Sequence, residues 1–122
     1  MKRSIVIITI LSVFLSFPML WADDSRPRAL KAISGDGVIY LSWSPSKSEV
    51  TGYLVYRALP DGDYQQLNPY PIEKTFYKDT DVINGQSYWY TVTAIDIYGN
   101  KGPQSKDILV TPNVSTGPLG GY

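Results

Sequence analysis

The side chains that could do chemistry in this chain are carboxylates, hydroxyls and amines, because histidine and cysteine are both absent. Without them a Ser-His-Asp or Cys-His nucleophile cannot be assembled, and haem attachment and Cys/His zinc sites are excluded as well. Two carboxylate pairs, Asp61/Asp63 and Asp79/Asp81, have the residue types that glycoside hydrolysis uses. Both sit in or beside turn-forming residues, where Asp bonds to local backbone, so a solvated turn role is expected of each. Asp79-Thr80-Asp81 followed by Asn84-Gly85 offers oxygens for calcium, but Ile83 stands where a third ligand is needed and no distal Glu follows. Asp96 with Asn100 suits bracing a loop better than holding a metal. Gly62, Gly85 and Gly99 are isolated and build no phosphate-cradling loop. Arg-Gly-Asp is missing, the nearest string being Asp61-Gly62-Asp63. Neither an enzyme nor a cofactor is expected.

Surfaces must then carry the function, and the elements of the fold position them. The chain opens Met1-Lys2-Arg3, runs apolar from Ile5 to Leu20 and reaches Trp21-Ala22 before Asp23-Asp24. A positive start, an apolar middle and a small residue before a polar break read as a signal peptide over residues 1–22. An uncleaved N-terminal anchor is the alternative, because the run approaches the roughly 18–20 residues that span a bilayer. Either way the remainder leaves the cytoplasm, for the periplasm, the outer surface or the medium.

The signal segment holds two of the 11 basic residues and none of the 11 acidic ones, which leaves nine against 11. That balance is too weak and mixed to expect nucleic acid as a partner. Membrane contact is expected only through the N-terminal segment, if it stays uncleaved. An exported domain of this size without disulfides needs a good core. Of the chain's 10 Tyr, 3 Trp and 3 Phe, all the Tyr, two Trp and one Phe lie beyond residue 22 and supply the area for one.

Residues 26–112 read as one domain and 113–122 as a flexible Gly/Pro-rich tail. Turn residues recur at short spacing: Gly35-Asp36-Gly37, Ser44-Pro45-Ser46, Pro60-Asp61-Gly62, Asn84-Gly85 and Gly99-Asn100. The runs between them are β-branched and aromatic, so an all-β, immunoglobulin-like sandwich of about seven antiparallel strands is expected. The strands fall near 28–34, 37–44, 52–58, 63–68, 75–79, 86–96 and 106–111. Alternation turns Ile39, Leu41 and Trp43 inward against Tyr40 and Ser42, and aligns Tyr88, Tyr90, Val92 and Ala94 on one buried face. A tyrosine heading that strand, Tyr88, can bond its hydroxyl to upstream backbone.

These pieces, in this order, resemble the fibronectin type III family over nearly the whole exported part. Pro27 with Leu30 resembles the first strand, Ile39-x-Leu41-x-Trp43-x-Pro45 the second, and Gly52-Tyr53-x-Val55-Tyr56-Arg57 the third. Val82 with Asn84-Gly85 and Tyr88 resembles the E–F corner, where the family more often has Pro-Gly. Asp96-x-x-Gly99-Asn100 with Pro103 and Ser105 resembles the F–G loop of bacterial members. The resemblance implies a non-catalytic spacer or binding unit beside larger extracellular machinery, and fold alone does not choose between those roles.

The candidate binding face follows from alternation. With Tyr53 and Val55 inward, Leu54, Tyr56, Trp89 and Ile95 point outward on one sheet. Two readings stay open: cross-strand pairs that stiffen the sheet, or a docking stripe. A second candidate is the tail, through Leu119 and Tyr122. The expected partner is another protein of the envelope or extracellular space, met through these surfaces or an edge strand. The alternative is a polysaccharide or matrix polymer stacked on Trp89 and Tyr56.

Overall fold

A computed structural model describes residues 25–114. The proposed signal segment and the tail residues Leu119 and Tyr122 lie outside the described residues. Eight strands follow one another: β1 (Arg28–Gly35), β2 (Val38–Ser44), β3 (Gly52–Ala58), β4 (Gln65–Gln66), β5 (Phe76–Asp79), β6 (Tyr88–Ile95), β7 (Lys101–Gln104) and β8 (Ile108–Val110). One sheet has the order β1-β2-β5 and the other β4-β3-β6-β7, with β8 also paired to β6. Every ladder is antiparallel. The described residues thus form an all-β, immunoglobulin-like sandwich, as their alternation requires.

The core is the set of inward positions of both sheets. Ile39, Leu41 and Trp43 of β2 meet Tyr53 and Val55 of β3 and Tyr88, Tyr90, Val92 and Ala94 of β6. Each such side chain contributes about 1.5–3 kcal/mol by leaving water. The Trp43 and Tyr53 rings meet edge-on, with centroids 5.6 Å apart, the arrangement their quadrupoles favour. Tyr53 Oη accepts a bond from the Ser46 N–H at 2.9 Å, so the ring also anchors the β2–β3 connection. The indole Nε1 of Trp43 is buried with no hydrogen-bond partner among the described residues.

Two expected strands take a different form, for the same physical reason. The fourth is expected over 63–68, but the ladder to β3 covers Gln65–Gln66, with the Leu67 N–H still donating to the Val55 carbonyl at 2.8 Å. Beyond it, the side chain of Asn68 acts as a strand would. Its Oδ1 accepts from the Val55 N–H at 2.7 Å and its Nδ2 donates to the Tyr53 carbonyl at 2.9 Å. The last strand, expected over 106–111, forms as the shorter β8 (Ile108–Val110), and β7 (Lys101–Gln104), which the spacing did not predict, pairs with β6 ahead of it, with Ser105 between the two. There Ser105 Oγ accepts the Val92 N–H at 2.9 Å, and the Ser105 N–H reaches the Val92 carbonyl at 2.8 Å. Short polar side chains that bond to backbone compete with ladder pairing in this way.

Gly52 opens β3 because nothing larger fits there. An added Cβ would stand 2.8 Å from the Ile72 carbonyl oxygen and 2.9 Å from Pro71 Cβ.

Candidate functional site

The E–F corner forms as expected, with one change of polarity. The Ile83 N–H donates to Tyr88 Oη at 2.9 Å, so the phenol acts as an acceptor for an upstream donor. Gly85 adopts φ 90°, a conformation in which a side chain is strained. Its N–H reaches the Pro112 carbonyl at 2.8 Å. Asn84 does what the more usual proline of this corner could not. Its Oδ1 accepts the Gly37 N–H and its Nδ2 donates to Asp36 Oδ1, both at 2.8 Å. The corner is thereby tied to the β1–β2 turn.

The carboxylate pairs separate. Asp61 and Asp63 are exposed in the turn after β3, as expected. Asp79 is not a solvated turn residue: it is 3% exposed and forms the hub of a buried network. Its Oδ2 accepts from Tyr90 Oη at 2.7 Å and from Arg57 Nη1 at 3.0 Å. Its Oδ1 accepts from the Asp81 N–H at 3.1 Å. Arg57 also donates to the Asp81 carbonyl at 2.9 Å and lies 5.4 Å from the centre of the Tyr88 ring. Burial, then the Asp79 hydrogen bond and charge, raise the Tyr90 pKa. Burial alone would lower that of Arg57, but the Asp79 bond and the surrounding negative charge outweigh it and raise it. The cluster is a structural cross-brace between the two sheets, and its proton donors and acceptors are committed to one another.

At the opposite end Asp96 braces the F–G loop. Its Oδ1 accepts the N–H groups of Tyr98 and Asn100 at 2.9 and 2.8 Å. Backbone bonding, chiefly from Asn100, lowers its pKa.

The docking stripe on the β3–β6 sheet is corrected in part. Leu54, Tyr56, Trp89 and Ile95 do share the face turned away from the core, since Leu54 lies opposite Thr93 and Tyr56 opposite Thr91. Yet Leu54 and Ile95 are only 5% and 6% exposed, so neither offers a contact surface. Lys101, opposite Ile95 on β7, carries its ammonium to 5.5 Å from the Tyr56 ring centre on β3. Lysine stem and ring thus reach toward each other above β6, which carries the buried Thr91 and Thr93 between them. Tyr56 and Trp89 stay half-buried.

The open face belongs to the other sheet. Its outward positions form two rows, Lys31–Ser42–Phe76 and Ile33–Tyr40–Lys78, read across β1, β2 and β5. Ile33 is 68% exposed, Tyr40 46% and Phe76 54%. Lys74 Nζ stands 5.3 Å from the Phe76 ring centre and Lys78 Nζ 5.8 Å from that of Tyr40. Tyr40 was legible as an outward residue of its strand, but Phe76 was not, because its place beside Tyr40 depends on the β2–β5 register.

No protein-family model matches the chain. Among curated proteins it is similar to amylopullulanase of Thermoanaerobacterium saccharolyticum, 34% identical over 93% of this chain and 9% of that protein. The chain spans less than a tenth of the length of the curated amylopullulanases it matches. Among solved structures, an Fn3-like protein from Clostridium thermocellum superposes with a TM-score of 0.63 at 26% identity, over 73% of this chain and 94% of that one. A beta-1,2-glucanase from Parabacteroides distasonis superposes with a TM-score of 0.65 at 25% identity, over 75% of this chain and 13% of that one.

Proposed function

Starting from a chain whose folded part is a fibronectin type III-like domain, we propose that it is a non-catalytic accessory module of exported machinery that handles polysaccharide. It works by holding a partner, and its sheet faces do the holding. The observation that carries this reading is the outward face of the β1-β2-β5 sheet, where Ile33, Tyr40 and Phe76 stand exposed together. Flat aromatic side chains on a rigid sheet suit stacking against a sugar ring, and they lose little freedom on binding. The similarity to short stretches of an amylopullulanase and a glucanase supports a place beside carbohydrate-active enzymes.

The test is affinity electrophoresis of the chain through gels carrying a panel of neutral and acidic polysaccharides. Retardation by at least one, lost in Tyr40→Ser/Phe76→Ser, is expected. Free migration through the whole panel contradicts the reading.

A protein partner is the second reading, favoured by the edge position of β5, which pairs with β2 on one side only. A depression of about 660 Å³ lined by Pro71, Ile72, Lys74, Phe76 and Lys78 runs beside it. An extended segment could add to that edge by backbone pairing. Co-purification of a defined protein that Lys78→Pro abolishes would favour this reading.

A further inference from the structure

Resting on the polysaccharide reading above, we propose that the β1-β2-β5 face binds an acidic polysaccharide built of carboxylated sugars. Lys31, Lys74 and Lys78 meet the carboxylates, and Tyr40 and Phe76 pack against the sugar faces.

Charge is segregated on this sheet. The exported part is mildly acidic, with nine basic residues against 11 acidic ones. The three strands of this sheet nevertheless carry a single carboxylate, Asp79. It lies opposite the buried Ile39, so it points inward, where Arg57 neutralises it. The outward side of the strands is therefore basic. The other carboxylate next to these lysines in the chain is Glu73, which lines the depression beyond β5.

None of the three lysines forms an ion pair among the described residues, where the pairs are those of Arg57 with Asp79 and Asp81. Two of the ammonium groups rest on aromatic rings instead. A cation held over a ring keeps most of its charge for an incoming anion, because the ring attracts it without neutralising it.

The spacing selects the class of anion. Lys31 and Lys78 sit in different rows and on opposite edges of the sheet. The edges are two strand spacings apart, about 10 Å, and the rows are two residues apart, about 7 Å. Donors spread in this way do not converge on one compact group. Phosphate sites instead gather backbone N–H groups or arginine forks on a single point. A linear polymer with one carboxylate per sugar presents single charges at intervals, with apolar ring faces between them. Tyr40 and Phe76, diagonal neighbours across β2 and β5, fill the space between the charges.

The test uses the chain as exported, with polygalacturonate, amylose, phosphatidylglycerol vesicles and single-stranded DNA as probes. Expected is salt-sensitive retention by polygalacturonate, with little by the other three. Lys31→Ala/Lys74→Ala/Lys78→Ala should weaken it about tenfold, the exposed lysines each contributing a modest share. Tyr40→Ser/Phe76→Ser should weaken it while leaving the melting transition in place. Equal binding to vesicles or DNA, or polygalacturonate binding untouched by the lysine substitutions, overturns the proposal. Retention by amylose alone, lost in the aromatic variant, overturns the acidic class but leaves the polysaccharide reading standing. Failure to bind any polysaccharide removes both.

Discussion

Tyr90 donates its phenol hydrogen to Asp79 across the sandwich at 2.7 Å, joining β6 of one sheet to β5 of the other. The same carboxylate holds Arg57, whose side chain is 18% exposed. A buried pair of this kind adds little net stability, since desolvation offsets attraction, but breaking one side leaves a stranded charge. Asp79→Ala is therefore expected to cost about 3–5 kcal/mol. Tyr90→Phe removes one donor from a carboxylate that keeps Arg57, and should cost less, about 1–3 kcal/mol. Urea denaturation midpoints measure both. Equal costs would mean that the phenol, not the guanidinium, is the main partner of Asp79.

Alkaline pH should loosen the same fold. Tyr64 is pushed up to about 12, first by burial and then by the charge and hydrogen bond of Asp107. Tyr90 is raised as well, by burial and by Asp79. A phenol whose folded pKa lies above its unfolded value of about 10 favours the folded state fully below pH 10. That contribution falls as pH rises from about 10 toward 12. Ultraviolet titration should show a late-ionising group of tyrosines, with Tyr64→Phe removing one of them. A single wave near pH 10 for all tyrosines of the folded chain would contradict this.

Trp43 separates packing from polarity. Its indole nitrogen finds no partner among the described residues, so Trp43→Phe loses volume but no hydrogen bond seen there. Trp43→Ala should cost about 3–5 kcal/mol and Trp43→Phe distinctly less. If the two cost the same, the indole nitrogen is bonded in solution, most simply to a buried water.

The corner at Tyr88 offers a paired comparison. Tyr88→Phe strands the Ile83 N–H and should cost about 1–3 kcal/mol. Asn84→Ala cuts the tie to Gly37 and Asp36 at an exposed position, where water can replace it, and should cost about 0.5–1.5 kcal/mol. Thermal melts of the two variants and their double mutant give the coupling. A larger loss from Asn84 than from Tyr88 would mean that the link to the β1–β2 turn, rather than the phenol, sets the corner.

The strands and their buried faces were readable because a period of two is a local property. Ile39, Leu41 and Trp43, then Tyr88, Tyr90, Val92 and Ala94, alternate with their neighbours wherever the partner strand lies. What escaped depends on register or on reach. Asp79 looks like a turn residue beside Asp81, and only the pairing of β2 with β5 turns it inward, opposite Ile39. Asn68 and Ser105 replace strand pairing with side-chain bonds, and no periodicity signals that. Leu54 and Ile95 occupy the outward positions that alternation assigns them. Alternation gives their side of the sheet but not how far neighbouring side chains cover them. The diagonal placement of Phe76 beside Tyr40 required the same register knowledge, so the open face emerged only when the sheets were assembled.

The most direct measurement is an amide chemical-shift map of the labelled chain titrated with polygalacturonate and with amylose. Shifts confined to β1, β2 and β5 and centred on Tyr40, Phe76 and the three lysines are the expected result, with polygalacturonate the stronger ligand. Shifts centred instead on Tyr56 and Trp89, or no shifts at saturating polysaccharide, would contradict the assignment of the binding surface.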